Sequence, residues 1–198
     1  MKRSAPTPCS LPARNEAPVT PRFKRRIQAT LFACCLLIAC GCAHAEFQLD
    51  DLQIAGRALG FLDKPLNGDV NAGIVYVPAD PQSARQAEAL KKLLGEGLRV
   101  GNVTLKPILV PVGEVSRANV ALFLLTDGVA GVEAQAIVGA AKPKRTPCIT
   151  TNLAQVRNGV CAIGIRSQPK VEILVNRAIA ASTGVAFSAI FRMMITEI

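Results

Sequence analysis

Past residue 45 the chain has no histidine and no tryptophan, one tyrosine (Tyr76) and only two of its seven cysteines (Cys148 and Cys161). Each shortage removes a class of chemistry. Without histidine there is no imidazole acid–base pair and no His-ligated metal, and two thiols do not make a cysteine-rich zinc site. Stacking rings for single-stranded nucleic acid are scarce. The formal charge of +9 is also misleading, because residues 1–45 hold seven of the 23 basic residues and one of the 14 acids. The remaining 153 residues carry +3, which is no footprint for a polyanion. Nucleotide fingerprints are missing too. Gly95, Gly97 and Gly101 follow a helix, whereas a dinucleotide loop needs a strand before it. The expectation is a chain with no cofactor, no catalytic metal and no nucleic-acid partner.

What is present begins with the leader. Residues 1–26 are rich in Pro, Ala and Arg and end in Arg22-Phe23-Lys24-Arg25-Arg26; an apolar stretch from Leu31 to Ala39 and the small-residue site Ala43-His44-Ala45 follow. A positive segment, a short apolar core and an A-x-A site together read as a secretory signal peptide over 1–45, cleaved between Ala45 and Glu46. The core is about twelve residues, against the roughly twenty needed to span a bilayer. Leu37-Ile38-Ala39-Cys40 also reads as a lipobox, the alternative being lipidation of Cys40 and membrane anchoring. The expected location is the periplasm.

Residues 46–198 have the length of one domain. Asp50 or Asp51 opens a helix through Leu52, Ala55, Leu59 and Phe61, and Ala72 to Val77 is strand-like. Asp80-Pro81 is an N-cap with proline at the first helical position, heading a helix that stops at Gly95. Val103 to Val112, interrupted by Pro107 and Pro111, belongs near a sheet edge. Val120 to Leu125 is continuously apolar, as strands covered on both faces are. Asp127-Gly128 opens a helix closed by Lys142-Pro143. Strands follow at Cys148–Thr150, Val160–Ile165 and Val171–Val175, then helical patterns at 177–183 and 187–196. The alternation predicts an α/β three-layer sandwich, Rossmann-like, with a mainly parallel sheet in a single domain.

In such sheets ligands sit beyond the carboxyl ends of the strands. Asp80, Ser83, Thr126, Asp127, Thr150, Thr151 and Asn152 fall there and form a candidate ligand rim. Asp80, Asp127 and Thr151 or Asn152 also stand where a helix needs a cap, and capping alone accounts for them. No residue is assigned a catalytic role: the acids are scattered, and no serine has a base or a nucleophile elbow. Lys142, Lys144 and Arg145 with Arg157, Arg166 and Lys170 read as a solvated rim, the alternative being a basic patch for an acidic partner. Phe187, Phe191, Met193 and Met194 read as the buried side of a terminal helix. Cys148 and Cys161 lie on successive strand segments and, in an oxidising compartment, are expected to form a disulfide. Packing as buried free thiols is the alternative.

The stretch Thr146 to Met194 resembles the YfiR family of small exported bacterial proteins. The resemblance rests on Pro147-Cys148-Ile149-Thr150-Thr151, the Gly-led Gly159-Val160-Cys161-Ala162-Ile163, Val171-Glu172-Ile173, and a helix broken at Gly184-Val185 before Phe187-Ser188. Leu174 replaces the family's usual Asn, and only Lys64-Pro65 stands near the place of its Trp-Pro step. The resemblance implies a non-enzymatic periplasmic regulator, dimeric, that restrains an inner-membrane signalling protein of the diguanylate cyclase type in cyclic-di-GMP signalling. It also implies a response to the redox state of a disulfide. Gly73-Ile74-Val75-Tyr76-Val77-Pro78 with Asp80 and Ser83 looks like the opening unit of one lobe of ABC-type solute-binding proteins, which makes a small-solute binder the alternative.

Overall fold

The computed structural model describes residues 46–198; the apolar leader, Cys40 and Ala45 lie outside them. Helix α1 (Leu49–Leu59) buries Leu52, Ala55 and Leu59, three to four residues apart and so on one face. Its cap differs from the expected aspartates. Gln48 holds the cap position, and Asp51, only 4% exposed, sits in the first turn. The Asp51 carboxylate accepts the Gln48 N–H at 2.8 Å and the distant Ser167 N–H at 2.7 Å, so its role is tertiary as well as local.

Strand β1 (Gly68–Tyr76) is nine residues long and leads through Val77–Asp80 into α2 (Pro81–Leu94). Here local rules suffice: the Asp80 carboxylate accepts the Gln82 N–H at 2.9 Å, and Gly95 closes the helix at φ +56°. A tight turn at Gly101 pairs the short β2 (Leu98–Val100), not anticipated from sequence, with β3 (Val103–Pro111). That pairing covers only Val103 to Leu105, so Pro107 and Pro111 occupy the stretch of β3 whose outer side has no neighbour among the described residues. A 3-10 turn (Val112–Glu114) precedes β4 (Leu122–Leu125), all four residues of which are buried.

Helix α3 (Gly131–Lys144) begins four residues after Asp127, not at it. Asp127 and Gly128 instead form a turn, and the helix start is held by Glu133, whose carboxylate accepts the Ala130 N–H at 3.1 Å. Pro143 lies inside the last turn, one residue before the end. The chain continues through β5 (Cys148–Thr150), α4 (Leu153–Arg157), β6 (Ile163–Arg166), β7 (Glu172–Val175), α5 (Arg177–Thr183), α6 (Ala189–Arg192) and β8 (Thr196–Glu197). The last helical pattern therefore shrinks to four residues. Phe187 and Phe191 are buried as expected, but Met193 and Met194 are 82% and 59% exposed. They follow the end of α6 and never join its buried face.

The strands form one eight-stranded sheet in the order β2-β3-β1-β4-β5-β6-β7-β8. The run β3-β1-β4-β5-β6 is parallel throughout; β2 and β7 are antiparallel to their inner neighbours, and β8 is parallel to β7. Side chains alternate across it. Ala72, Ile74, Leu122 and Leu124 join the core under α1 and α2, while Val75, Phe123 and Leu125 join the core under α3. On β6, Gly164 leaves room for α4: a Cβ there would stand 2.7 Å from Leu153 Cδ2 and 2.8 Å from Val156 Cγ2. The result is a single α/β domain, three layers deep, Rossmann-like and mainly parallel, as expected. Cys148, the first residue of β5, and Cys161, which lies two residues before β6 and not on the expected strand from Val160, form a disulfide with Cα atoms 5.4 Å apart, so they are not free thiols.

Candidate functional site

The chain steps from β1 to β3 on one side, then returns to place β4 on the other. The loops after β1 and β4 consequently diverge, which is where open α/β sheets hold their ligands. The structure brings the rim residues together there, then occupies them with one another. Ser83 Oγ accepts the Val77 N–H at 2.9 Å and lies 2.7 Å from Thr126 Oγ1. Thr126 donates its single proton to the Val75 carbonyl at 3.2 Å, so Ser83 is the donor between the two hydroxyls. The relay starts at Val77, one residue past β1, and ends on the Val75 carbonyl within it. Gly128 presses on the same point: a Cβ at that position would collide with Asp80 Oδ2 and stand 2.6 Å from Ser83 Cβ.

Two glutamines that sequence reasoning missed complete the network. Gln86, 6% exposed, accepts the Asp127 N–H at 3.0 Å and donates to Asp127 Oδ2 at 3.2 Å. Gln155, 5% exposed, donates to the Thr126 and Val129 carbonyls at 2.8 Å each and accepts from Thr150 Oγ1 at 2.5 Å. Asn152 caps α4 through the Ala154 N–H at 3.0 Å, and its own N–H goes to Thr150 Oγ1. Thr151 is buried at the end of β5. Signals for both glutamines were present. Ser83 and Gln86 stand on the α2 face that also carries Ala87, Leu90 and Leu94, and Gln155 follows Asn152 at capping-box spacing.

Capping is thus the observed role of Asp80 and Asn152, whereas Asp127 caps nothing and is held by Gln86. One group in this cluster is left over. Asp127 Oδ1 is buried without a hydrogen-bond partner among the described residues. Beside Gln86 and Thr126 lies a hollow of about 220 Å³, lined otherwise by Glu46 and the apolar Phe47, Ala89, Leu90, Leu93 and Leu125. The cluster holds hydroxyls, amides and the carboxylates of Asp80 and Asp127, and among the described residues no hydroxyl in it is hydrogen-bonded to a carboxylate; these groups hold loops and can hydrogen-bond a small solute. The described residues contain no group of three or more His, Cys, Asp or Glu side chains placed to hold a metal ion.

The basic residues noted from sequence do not converge. Arg166, the last residue of β6, pairs with Glu172 at 2.6 Å, while Lys144 donates to the Ala118 carbonyl and Arg145 lies against Gly184 at the opposite end. No described helix is long and apolar enough to cross a membrane.

No family model and no curated protein matches the chain. Solved structures do. One is an ABC domain in complex with L-Trp from Streptococcus pneumonia, at 13% identity and a TM-score of 0.50, covering 74% of this chain and 60% of that one. Another is a conserved domain protein from Vibrio cholerae, at 14% identity and a TM-score of 0.49, covering 75% and 58%. A third is a ligand-free, open substrate-binding protein with adhesive properties from Clostridium difficile, at 15% and 0.47, covering 77% and 60%. The chain spans about 60% of the length of these structures. The first likeness supports the α/β fold and nothing finer.

Proposed function

We propose that the chain is an exported, non-enzymatic regulatory module of YfiR type that binds and modulates an inner-membrane signalling protein, its export directed by residues 1–45 with cleavage before Glu46. The observation that carries this reading is the self-satisfied rim. Where a binding lobe opens a cleft, the hydroxyls of Ser83, Thr126 and Thr150 and the amides of Gln86 and Gln155 are spent on neighbouring loops. That favours action through a surface over action on an enclosed solute. The Cys148–Cys161 bond fits an oxidising compartment, and it supplies the group through which the module responds to redox state.

A second reading, solute binding, has one observation in its favour: the buried, partnerless Asp127 Oδ1, on a carboxylate held by the Gln86 that lines the apolar hollow. The two separate cleanly. Affinity capture from solubilised membranes should recover an inner-membrane protein with a cyclase or kinase domain, and Asp127→Asn should leave that recovery unchanged. Saturable binding of a small solute, lost in Asp127→Asn and with no membrane protein recovered, would replace the regulator by the binder.

A further inference from the structure

The largest exposed apolar group near the aromatic C-terminal cluster sits on α6 and the turn after it. Ile190 is 67%, Met193 82% and Met194 59% exposed, and Phe61 beside them is 38% exposed. Their base is firm. The Phe61 ring stacks on Phe191 at 5.0 Å, and Phe187 leans on the same ring at 5.0 Å. Asp63 donates its N–H to the Ala186 carbonyl and Ser188 donates to Phe61, tying the two segments together.

Cations lie on the segments that carry and adjoin this group. Lys64, Arg145, Arg177 and Arg192 are exposed and line two hollows of about 240 and 270 Å³ that share Asp63, Val185 and Ala186. Among the described residues only Arg177 of the four forms an ion pair, with Glu197 at 3.5 Å. Three uncommitted cations therefore face one uncommitted acid, Asp63.

We propose that this end of the domain seats on a lipid surface carrying anionic headgroups, independently of the regulator reading. Ile190, Met193 and Met194 enter the boundary between headgroups and acyl chains, while Lys64, Arg145 and Arg192 meet the headgroup phosphates. The chemistry favours lipid over a folded protein. The most exposed side chains project from a single short turn, and two are unbranched methionines that conform to a fluid surface. The cations have long apolar stems that let their charge stay at headgroup level. A few inserted side chains or a few cations alone bind weakly, and the two together make a usable membrane contact.

Because the chain has no tryptophan, a single indole reports one position. Met193→Trp in the full chain places it at the most exposed apolar position of the group, and Val132→Trp, at a site 87% exposed on α3, is the control. With vesicles of phosphatidylglycerol and phosphatidylcholine, the indole at 193 should shift to the blue and be quenched by brominated acyl chains. It should stay water-like with phosphatidylcholine alone, and the shift should vanish in about 1 M salt, where screening acts within roughly 3 Å. The indole at 132 should not respond. Lys64→Glu and Arg192→Glu in that background should each weaken binding by about fivefold or more. A silent indole at 193 on vesicles that the protein nevertheless binds, through its leader for instance, overturns the proposal. So does an indole silent on lipid but shifted by a solubilised membrane protein, which would assign the patch to a protein partner.

Discussion

Replacing Gln155 by leucine tests whether the rim is structural. The side chain keeps its volume but loses one acceptor and two donors. The Thr150 hydroxyl then loses the oxygen it donates to, and the Thr126 and Val129 carbonyls lose amide protons held at 2.8 Å. A buried polar group stripped of its partner costs about 1–3 kcal/mol. The Thr126 carbonyl retains a long bond from the Val129 N–H at 3.4 Å, which places its loss at the low end. Summed and discounted for relaxation, Gln155→Leu should destabilise the domain by about 3–5 kcal/mol. For a chain this size that lowers the melting temperature by roughly 6–20 °C. Thermal and urea unfolding of oxidised protein, followed by far-ultraviolet circular dichroism, measure it. Gln155→Glu adds a sign. Its carboxylate would face two carbonyl oxygens, so its folded pKa is raised and the folded state binds the extra proton. The stability gap to the parent should then widen as pH rises above about 4.3, the unfolded value, and level off beyond the folded one. A leucine variant within about 1 kcal/mol of the parent, or a glutamate gap flat in pH, would refute the structural account of the rim.

Two further outcomes follow from packing and cross-linking. Cys161→Ser removes a cross-link of sequence separation 13 and should cost about 3 kcal/mol under oxidising conditions, with little difference once both proteins are reduced. Equal melting temperatures under oxidising conditions would contradict it. Gly164→Ala should destabilise by about 1–3 kcal/mol by pushing α4 off β6, and Val156→Ala in the same chain should recover part of that, giving a favourable coupling in a double-mutant cycle. Strictly additive losses would mean the two positions do not touch.

Several features were legible in the residues because the forces behind them act over a few positions. Asp80-Pro81 caps α2 through an amide two residues on, Gly95 ends the same helix, and four successive apolar residues mark β4 as covered on both faces. The Cys148–Cys161 pair was legible by elimination, and strand–helix alternation with short loops pointed to a mainly parallel sheet. Tertiary structure decided the rest, wherever the partner lies far along the chain. Asp127 looks like a cap, yet its carboxylate and N–H go to Gln86, 41 residues away. Gln155 looks like a capping-box residue, yet it reaches the Thr126 and Val129 carbonyls, 29 and 26 residues away, because the sheet sets β4 beside β5. Met193 and Met194 fit a helical face by spacing. They became surface because α6 stops at Arg192 and the chain then turns to lay β8 against β7. Period and capping belong to neighbours in sequence. Which polar groups meet, and where a helix gives way to a strand, belong to neighbours in space.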